Sequence, residues 1–252
     1  MSWPAFPPST TKVQVDEKWS FVGKKEKNCD PANPADWLRG DQWDHVALDP
    51  DSRLVLQVII GPRTADCARL LLEGVRDRRG GRVPDLITSD EYPVSPEVVR
   101  SVFGGERVPP RTGRPGRPAG PRTVLPDDLC YATVHKTRER GRVTAVETRV
   151  VFGAPGDGDQ GSTSYLERQN GTDRHRNARK GRKTYRFSKE WEMHEAVTCL
   201  TRYSYNFCWP VRTLREGDRE SGYVPRTPAM VAGLTDHVWS LDEWVTFPGV
   251  QR

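Results

Sequence analysis

Residues 12–22 read Lys-Val-Gln-Val-Asp-Glu-Lys-Trp-Ser-Phe-Val, a segment with the character of a β-strand. Valine and aromatic residues favour strands, and Asp16 stands among them. Two more apolar runs follow at 43–48 and 53–60, and the turn-forming residues 49–52 between them predict a hairpin. The sequence therefore predicts three consecutive strands.

A helix and a fourth strand are predicted next. Thr64 can cap a helix that runs to about Arg79, because apolar residues recur there at helical spacing. Residues 85–89 form a short apolar strand that ends at Asp90, and residues 96–103 predict a short helix. Strands followed by a helix, a strand and further helices indicate a mixed α/β sheet covered by helices.

The middle of the chain contains a basic loop and a second hairpin. Residues 108–126 are rich in Pro, Gly and Arg, and the stretch around Arg114 and Arg117 resembles an AT-hook, which lies in a narrow minor groove. A flexible basic loop without groove preference is the alternative. Residues 129–134 and 144–152 predict a β-hairpin.

Two helices are predicted after this hairpin. The loop 153–162 leads into a helix that carries Glu167, and Ser188 is predicted to cap a helix that ends near Phe207. His194 lies on the second of these helices, where a histidine bonded within a helix interface is more common than a functional one.

Asp16, Asp90 and Glu167 are the candidate catalytic and metal-binding residues. Two of these acids lie on predicted strands and the third on a predicted helix. Three converging carboxylates repel one another unless a cation neutralises them, and their hard oxygen atoms suit Mg²⁺ or Mn²⁺. Taken singly, Asp16 and Asp90 could be turn formers, and Glu167 could be half of a surface ion pair.

The positive charge of the chain is concentrated in two segments. The net charge is +5, but residues 167–189 contain nine Arg or Lys against two acids, and residues 107–122 contain five Arg and no acid. Such segments suit a polyanion such as DNA, although a solvated basic face would have the same composition. The predicted DNA-binding residues are Asn170, Arg174, Arg176, Arg179, Lys180, Arg182, Lys183, Arg186, Arg114 and Arg117.

Cysteine spacing and hydropathy predict a soluble cytoplasmic protein. The five cysteines lack the paired spacing of a zinc site, and their odd number suggests a reducing compartment. The first residues do not resemble a signal peptide, and no apolar run approaches the roughly 20 residues that span a bilayer.

Four segments together resemble transposases of the insertion sequence 1 type. They are Asp-Glu-Lys-Trp-Ser-Phe-Val-Gly at 16–23, Ser-Asp-Glu-Tyr at 89–92, Tyr-Leu-Glu-Arg-Gln-Asn at 165–170 and Thr-Pro-Ala-Met-Val-Ala-Gly-Leu at 227–234. The resemblance extends over nearly the whole chain. It implies a DDE transposase with a ribonuclease H-like fold, a mixed five-stranded sheet flanked by helices, in which Asp16, Asp90 and Glu167 hold two Mg²⁺ ions, with Mn²⁺ as a substitute.

The sequence also predicts a domain organisation and partners. It predicts an N-terminal tail at 1–11, a catalytic domain at 12–209 with an inserted basic loop and hairpin at 107–162, and a helical C-terminal extension at 210–252. The insertion lengthens the interval between Asp90 and Glu167 and is a departure from the compact form of the family. The expected partners are double-stranded DNA, further copies of the chain, and a separately encoded N-terminal DNA-recognition module. An inactive DNA-binding remnant or regulator, and a ribonuclease H-like nuclease acting on RNA:DNA hybrids, are the alternatives.

Overall fold

The computed structural model describes residues 10–90, 96–108, 120–156, 161–181, 183–220 and 222–248. Ten strands and six α-helices lie in these ranges. In chain order they are β1 (Lys12–Val22), β2 (Gly40–Leu48), β3 (Val55–Gly61), α1 (Ala65–Arg78), β4 (Leu86–Asp90), α2 (Pro96–Phe103), β5 (Gly105–Arg107), β6 (Arg122–Val124), β7 (Cys130–Glu139), β8 (Arg142–Phe152), α3 (Ser164–Arg176), α4 (Trp191–Cys208), β9 (Glu216–Asp218), β10 (Gly222–Val224), α5 (Pro228–Val231) and α6 (Leu241–Thr246).

A six-stranded mixed sheet organises the fold, with the strand order β3-β2-β1-β4-β7-β8. The first three strands form the predicted antiparallel meander, and β4 and β7 run parallel to β1. The last strand, β8, pairs antiparallel with β7 and lies at the sheet edge. This mixed α/β arrangement is compatible with a ribonuclease H-like fold.

Two expectations about the sheet are corrected. The main sheet has six strands where five were expected, and the hairpin predicted as part of an insertion belongs to it. Strand β7 pairs in parallel with β4, from Leu86 opposite Cys130 to Asp90 opposite Val134. Because this pairing joins residues that are 44 apart in sequence, no local pattern signals it. The expected AT-hook with Arg114 and Arg117 lies outside the described residues.

Alternation along β1 determines which face meets which helix. Val13 and Val15 are buried in the main core with Leu72 of α1. Gln14 and Lys18 point to the other face and contact α3, because Gln14 accepts a hydrogen bond from the backbone of Leu166. The sheet is therefore covered on both faces, and α3 lies over the face that carries Asp16.

The C-terminal residues contribute to the same core. Ala229 and Ala232 are buried in the main hydrophobic cluster, and the ring of Trp239 packs 4.8 Å from that of Phe207 at the end of α4. The division of the chain at residues 209 and 210 stays a prediction. None of the helices that the structure describes is both long and apolar enough to cross a membrane.

Helix α4 begins differently from the prediction, while α1 begins as predicted. Thr64 caps α1 by accepting a hydrogen bond from the Cys67 backbone. Ser188 does not cap α4, which begins at Trp191 after Glu190. The hydroxyl of Ser188 instead lies 2.8 Å from Nδ1 of His194, whose Nε2 lies 3.2 Å from the hydroxyl of Ser20. His194 is thus a buried, hydrogen-bonded residue of the helix–sheet interface.

Acid should unfold the protein partly through His194. Burial, with Lys180 and Lys18 nearby and Asp44 opposing them, lowers the pKa of His194 from 6.5 to about 4. Between these values the unfolded chain binds a proton that the native state does not, so the free energy of unfolding falls as pH falls. When the pH falls from 7 to 4.5, the free energy of unfolding of His194→Gln should fall by about 2–3 kcal/mol less than that of wild type. Urea denaturation at the two pH values measures this difference. The exposed His175, as His175→Gln, is the control. If the free energy of unfolding changed equally with pH in all three proteins, His194 would not be a source of the acid sensitivity.

Candidate active site

Strand register brings Asp16 and Asp90 together. Val15 of β1 lies opposite Ser89 of the parallel strand β4, and the two aspartates are the next residue on each strand. Neighbouring strands are about 4.8 Å apart, so the two side chains are neighbours on the sheet. Consistent with this, the negative charge of Asp90 contributes to a raised pKa at Asp16.

Asp16 is held by two hydrogen bonds. The side-chain amide of Asn170 donates to Oδ2 at 2.8 Å, and the backbone N–H of Glu17 donates to Oδ1 at 2.8 Å. Burial is the main cause that raises the pKa of Asp16 to about 6, and Asp90 adds to it, while these two hydrogen bonds and Lys136 oppose the shift. The orientation of the Asp16 carboxylate is therefore fixed by hydrogen bonds, but nearby cations offset its negative charge only in part.

Glu167 meets Asp90 at a shared hydroxyl. Glu167 lies in the first turn of α3, and Thr163 immediately precedes that helix. The Thr163 hydroxyl lies 2.9 Å from Oδ1 of Asp90 and 3.0 Å from Oε1 of Glu167. Two acids that are 77 residues apart in sequence therefore converge on one point.

Lys136 supplies a cation at the same point. Its ammonium group lies 3.2 and 3.3 Å from the two carboxylate oxygens of Asp90 and 3.2 Å from the Thr163 hydroxyl, and it also forms an ion pair with Glu167. It reaches the site because Asp90 pairs with Val134 of β7, and Lys136 lies two residues farther along that strand on the same face. An internal cation thus offsets one of the two negative charges of this pair of carboxylates.

The residues suit a divalent cation in chemistry, but they are not arranged as a finished metal centre. The carboxylates of Asp16, Asp90 and Glu167 offer hard oxygen atoms, and Lys136 marks a place where a cation is stabilised. In the described part of the chain, no group of three or more His, Cys, Asp or Glu side chains forms a cluster that could hold a metal ion. A metal ion would therefore have to displace the Lys136 ammonium and draw Asp16 to the pair.

A buried charge network positions Asn170. Its members are Lys18 of β1, Asp44 of β2, Asp173 of α3, Arg202 of α4, and Lys180 from the segment between α3 and α4. Lys180 contacts both oxygens of Asp44 at 2.5 and 2.6 Å, and Lys18 contacts Asp44 at 3.2 Å and also pairs with Asp173. Arg202 donates to Oδ1 of Asn170 at 2.7 Å, which leaves the amide nitrogen directed at Asp16.

Two residues predicted to bind DNA have internal partners instead. Lys180 is buried in the charge network and cannot form part of a DNA-contacting surface, so that prediction is wrong. Asn170 is buried between Arg202 and Asp16 and acts on the carboxylate. A run of basic residues is usually a solvated face, and only the contact with the distant Asp44 reveals the different role of Lys180.

The other predicted DNA-binding residues differ in their exposure. Arg176 is partly buried, with its guanidinium 3.2 Å from the ring centre of Trp209, and burial lowers its pKa to about 10. Lys183 and Arg186 are exposed, and Arg174 and Arg179 are partly exposed. Arg182, like Arg114 and Arg117, lies outside the described residues.

Sequence reasoning missed Lys136 and Thr163. A single lysine in a polar strand and a threonine before a helix carry no distinctive pattern. The one available signal was position, since Thr163 stands four residues before Glu167 and can reach it across one helical turn.

Comparisons with known proteins give little further information. No protein-family model matches this chain, and no curated protein matches it. Among solved structures, the chain is similar to the Mos1 transposase paired-end complex with left transposon end, at 20% identity and a TM-score of 0.24. The match covers 37% of this chain and 32% of the Mos1 transposase chain, so this chain spans about a third of the length of that transposase. A likeness this weak carries no argument about function.

Proposed function

We propose that this chain is a DDE transposase of the insertion sequence 1 type, which cleaves DNA phosphodiesters and joins the resulting 3′ ends to a target. The observation that carries the proposal is the meeting of Asp90 and Glu167 at one cation and one hydroxyl, beside Asp16 on the adjacent strand. The resemblance of the four sequence segments supports the reading of these acids as a catalytic set.

Each residue of the site has a role in this proposal. Asn170 and the Glu17 backbone orient Asp16, and the Thr163 hydroxyl aligns Asp90 with Glu167. Two Mg²⁺ ions, or Mn²⁺ in their place, bound by Asp16, Asp90 and Glu167, would activate the attacking oxygen and stabilise the leaving one. Lys136, once released from the carboxylates, is placed to hold a phosphate oxygen.

The reaction exchanges one phosphodiester bond at a time. Water adds to phosphorus while the bond to the 3′ oxygen breaks, which leaves a 3′-hydroxyl and a 5′-phosphate. The 3′-hydroxyl then attacks a target phosphodiester, so that a new phosphodiester forms as an old one breaks. No covalent bond to the protein is needed at either step.

The proposed partner is double-stranded DNA. Lys183 and Arg186 are exposed on the segment that follows α3 and would contact phosphates. Assembly of several copies on DNA and a separately encoded recognition module belong to the same proposal. Since phosphate contacts release counterions, affinity should fall steeply with salt.

A cleavage assay tests the proposed function. Supercoiled plasmid is incubated with the protein in Mg²⁺, Mn²⁺, Ca²⁺ or EDTA, and an RNA:DNA hybrid is tested in parallel. We expect nicking in Mg²⁺ and Mn²⁺, binding without nicking in Ca²⁺, and no nicking in EDTA. Cleavage confined to the RNA strand of the hybrid would favour the ribonuclease H-like nuclease, and binding without any cleavage would favour the inactive remnant.

Removing Lys136 should strengthen metal binding. The Lys136 ammonium is paired with the carboxylates that a metal ion needs. Lys136→Met should therefore bind Mn²⁺ about tenfold more tightly than wild type, a difference in binding free energy of about 1.4 kcal/mol. Isothermal titration without DNA measures this. The exposed Lys183, as Lys183→Met, should leave Mn²⁺ affinity unchanged. Equal or weaker Mn²⁺ binding by Lys136→Met would show that the lysine does not compete with the metal.

A further inference from the structure

A cavity of about 310 Å³ lies on a second face of α3. Its walls come from α3, from the end of β2 and the turn before β3, and from α4 and the residues that follow it. Tyr165, Arg168 and Thr172 line it, and their spacing of three and four residues places them on one side of the helix. Glu167 lies about 100° around the same helix turn from Arg168, so the cavity neighbours the acidic site.

The cavity lining is strongly positive. Arg53, Arg168 and Arg212 contribute to it, and no acidic residue does. Within the described ranges, none of the three guanidinium groups forms an ion pair with a carboxylate. Arginine presents several N–H donors in a fixed plane, which suits the oxygen atoms of a phosphate. The lining therefore favours an anionic group.

Aromatic rings complete the lining. Trp209 is 50% exposed, with the guanidinium of Arg176 stacked 3.2 Å from its ring centre. The guanidinium of Arg53 lies 3.3 Å from the ring centre of Tyr165, and Arg53 has a φ of 64°, in the left-handed region that residues other than glycine seldom adopt. Two arginine–aromatic stacks thus form a preorganised wall. An exposed indole beside cationic groups is the combination with which proteins bind the bases of unpaired nucleic acid.

We propose that this cavity binds one nucleotide of an unpaired DNA strand, with the base against Trp209 and the phosphate between Arg168 and Arg212. The volume agrees, because pockets for small organic ligands begin at about 300 Å³. The adjacent phosphodiester would then reach Asp16, Asp90 and Glu167 from the neighbouring face of α3. This assignment rests on the proposed function for its choice of DNA as the ligand.

Binding in EDTA tests the cavity separately from cleavage. Three ligands are compared by fluorescence anisotropy or competition: a blunt duplex, the same duplex with a short single-stranded 3′ tail containing 2-aminopurine, and free dAMP. We expect the tailed duplex to bind about tenfold more tightly than the blunt duplex, and the 2-aminopurine fluorescence to be quenched on stacking. Free dAMP should bind far more weakly than the tailed duplex.

Substitutions locate the effect. Trp209→Ala should remove both the preference for the tail and the quenching, whereas Trp209→Phe should retain part of both. Arg212→Ala, at an exposed position, should weaken binding of the tailed duplex about fivefold or more. This variant leaves the stack of Arg176 on Trp209 in place, so it tests the phosphate contact separately. Trp37→Ala, also at an exposed position, and Arg149→Ala are the matched controls, and circular dichroism verifies folding.

The outcomes separate the possibilities. Equal affinity for blunt and tailed duplexes, or an unchanged preference in a folded Trp209→Ala protein, would overturn the assignment. Tight binding of free dAMP that depends on Trp209 would make the cavity a mononucleotide site and would also overturn it. A failure of the proposed function would instead appear as absent metal-dependent cleavage, which this assay does not use.

Discussion

Replacing Glu167 by Gln is expected to lower metal-dependent DNA cleavage on the order of a thousandfold, because a neutral amide oxygen binds divalent ions far more weakly than a carboxylate does. Asp90→Asn and Asp16→Asn should have similar effects. The double variant Asp90→Asn with Glu167→Gln should lose little more than either single variant, since groups that act as one unit are not additive. The rate of plasmid nicking in Mg²⁺ measures all of these.

The control for these variants is Glu147→Gln, an exposed acid paired with Arg149 on the edge strand β8. It should cleave at the wild-type rate. Salt-dependent DNA binding by the inactive variants should persist, because the exposed basic residues are unchanged. Cleavage that survives Glu167→Gln would remove that residue from the catalytic set.

Replacing Asp44 by Asn should destabilise the protein by about 3–5 kcal/mol, because it leaves buried cations without their main counter-charge. Asp44 is fully buried, and Lys18, Lys180 and Arg202 all contact it. The pKa of Asp44 is held far below its usual range by these three cations, in spite of burial. Urea denaturation at pH 7 measures the loss.

Two further variants make this test specific. Asp77→Asn, on the exposed surface of α1, should change stability little. Adding Lys180→Met to Asp44→Asn should restore part of the lost stability, since it removes one of the unpaired cations. A double variant less stable than Asp44→Asn would mean that the Lys180 ammonium group stabilises the fold through a contact other than its pair with Asp44.

Local sequence patterns predicted much of the sheet and its helices. The strand character of residues 12–22, the turn after β2 and the cap at Thr64 are properties of neighbouring residues, and the structure confirms all three. The pairing of β4 with β7 depends on residues that are far apart in sequence, so the hairpin was read as an insertion rather than as part of the main sheet. Ser188 was misread because a helix cap and a buried hydrogen-bonding serine look alike in sequence.

The candidate site likewise contains residues that local sequence predicts and residues whose roles depend on distant contacts. Asp16, Asp90 and Glu167 were identified because acids at a strand centre, a strand end and a helix start form a pattern, and the structure brings Asp90 and Glu167 onto one hydroxyl. Lys136 was missed because its role depends on the register of β7 against β4. Lys180 was misassigned because charge alone does not show whether a lysine is solvated or buried beside a carboxylate.

The buried charge network also constrains how the sequence can change during evolution. Its five charged residues, three cations and two carboxylates, lie on several different elements, and neutral replacement of either aspartate leaves buried cations without compensation. Viable change at Asp44 therefore requires simultaneous change at Lys18, Lys180 or Arg202. In an alignment of relatives, these positions should be either all retained or replaced together, and Asn170 should vary with them because Arg202 sets its orientation.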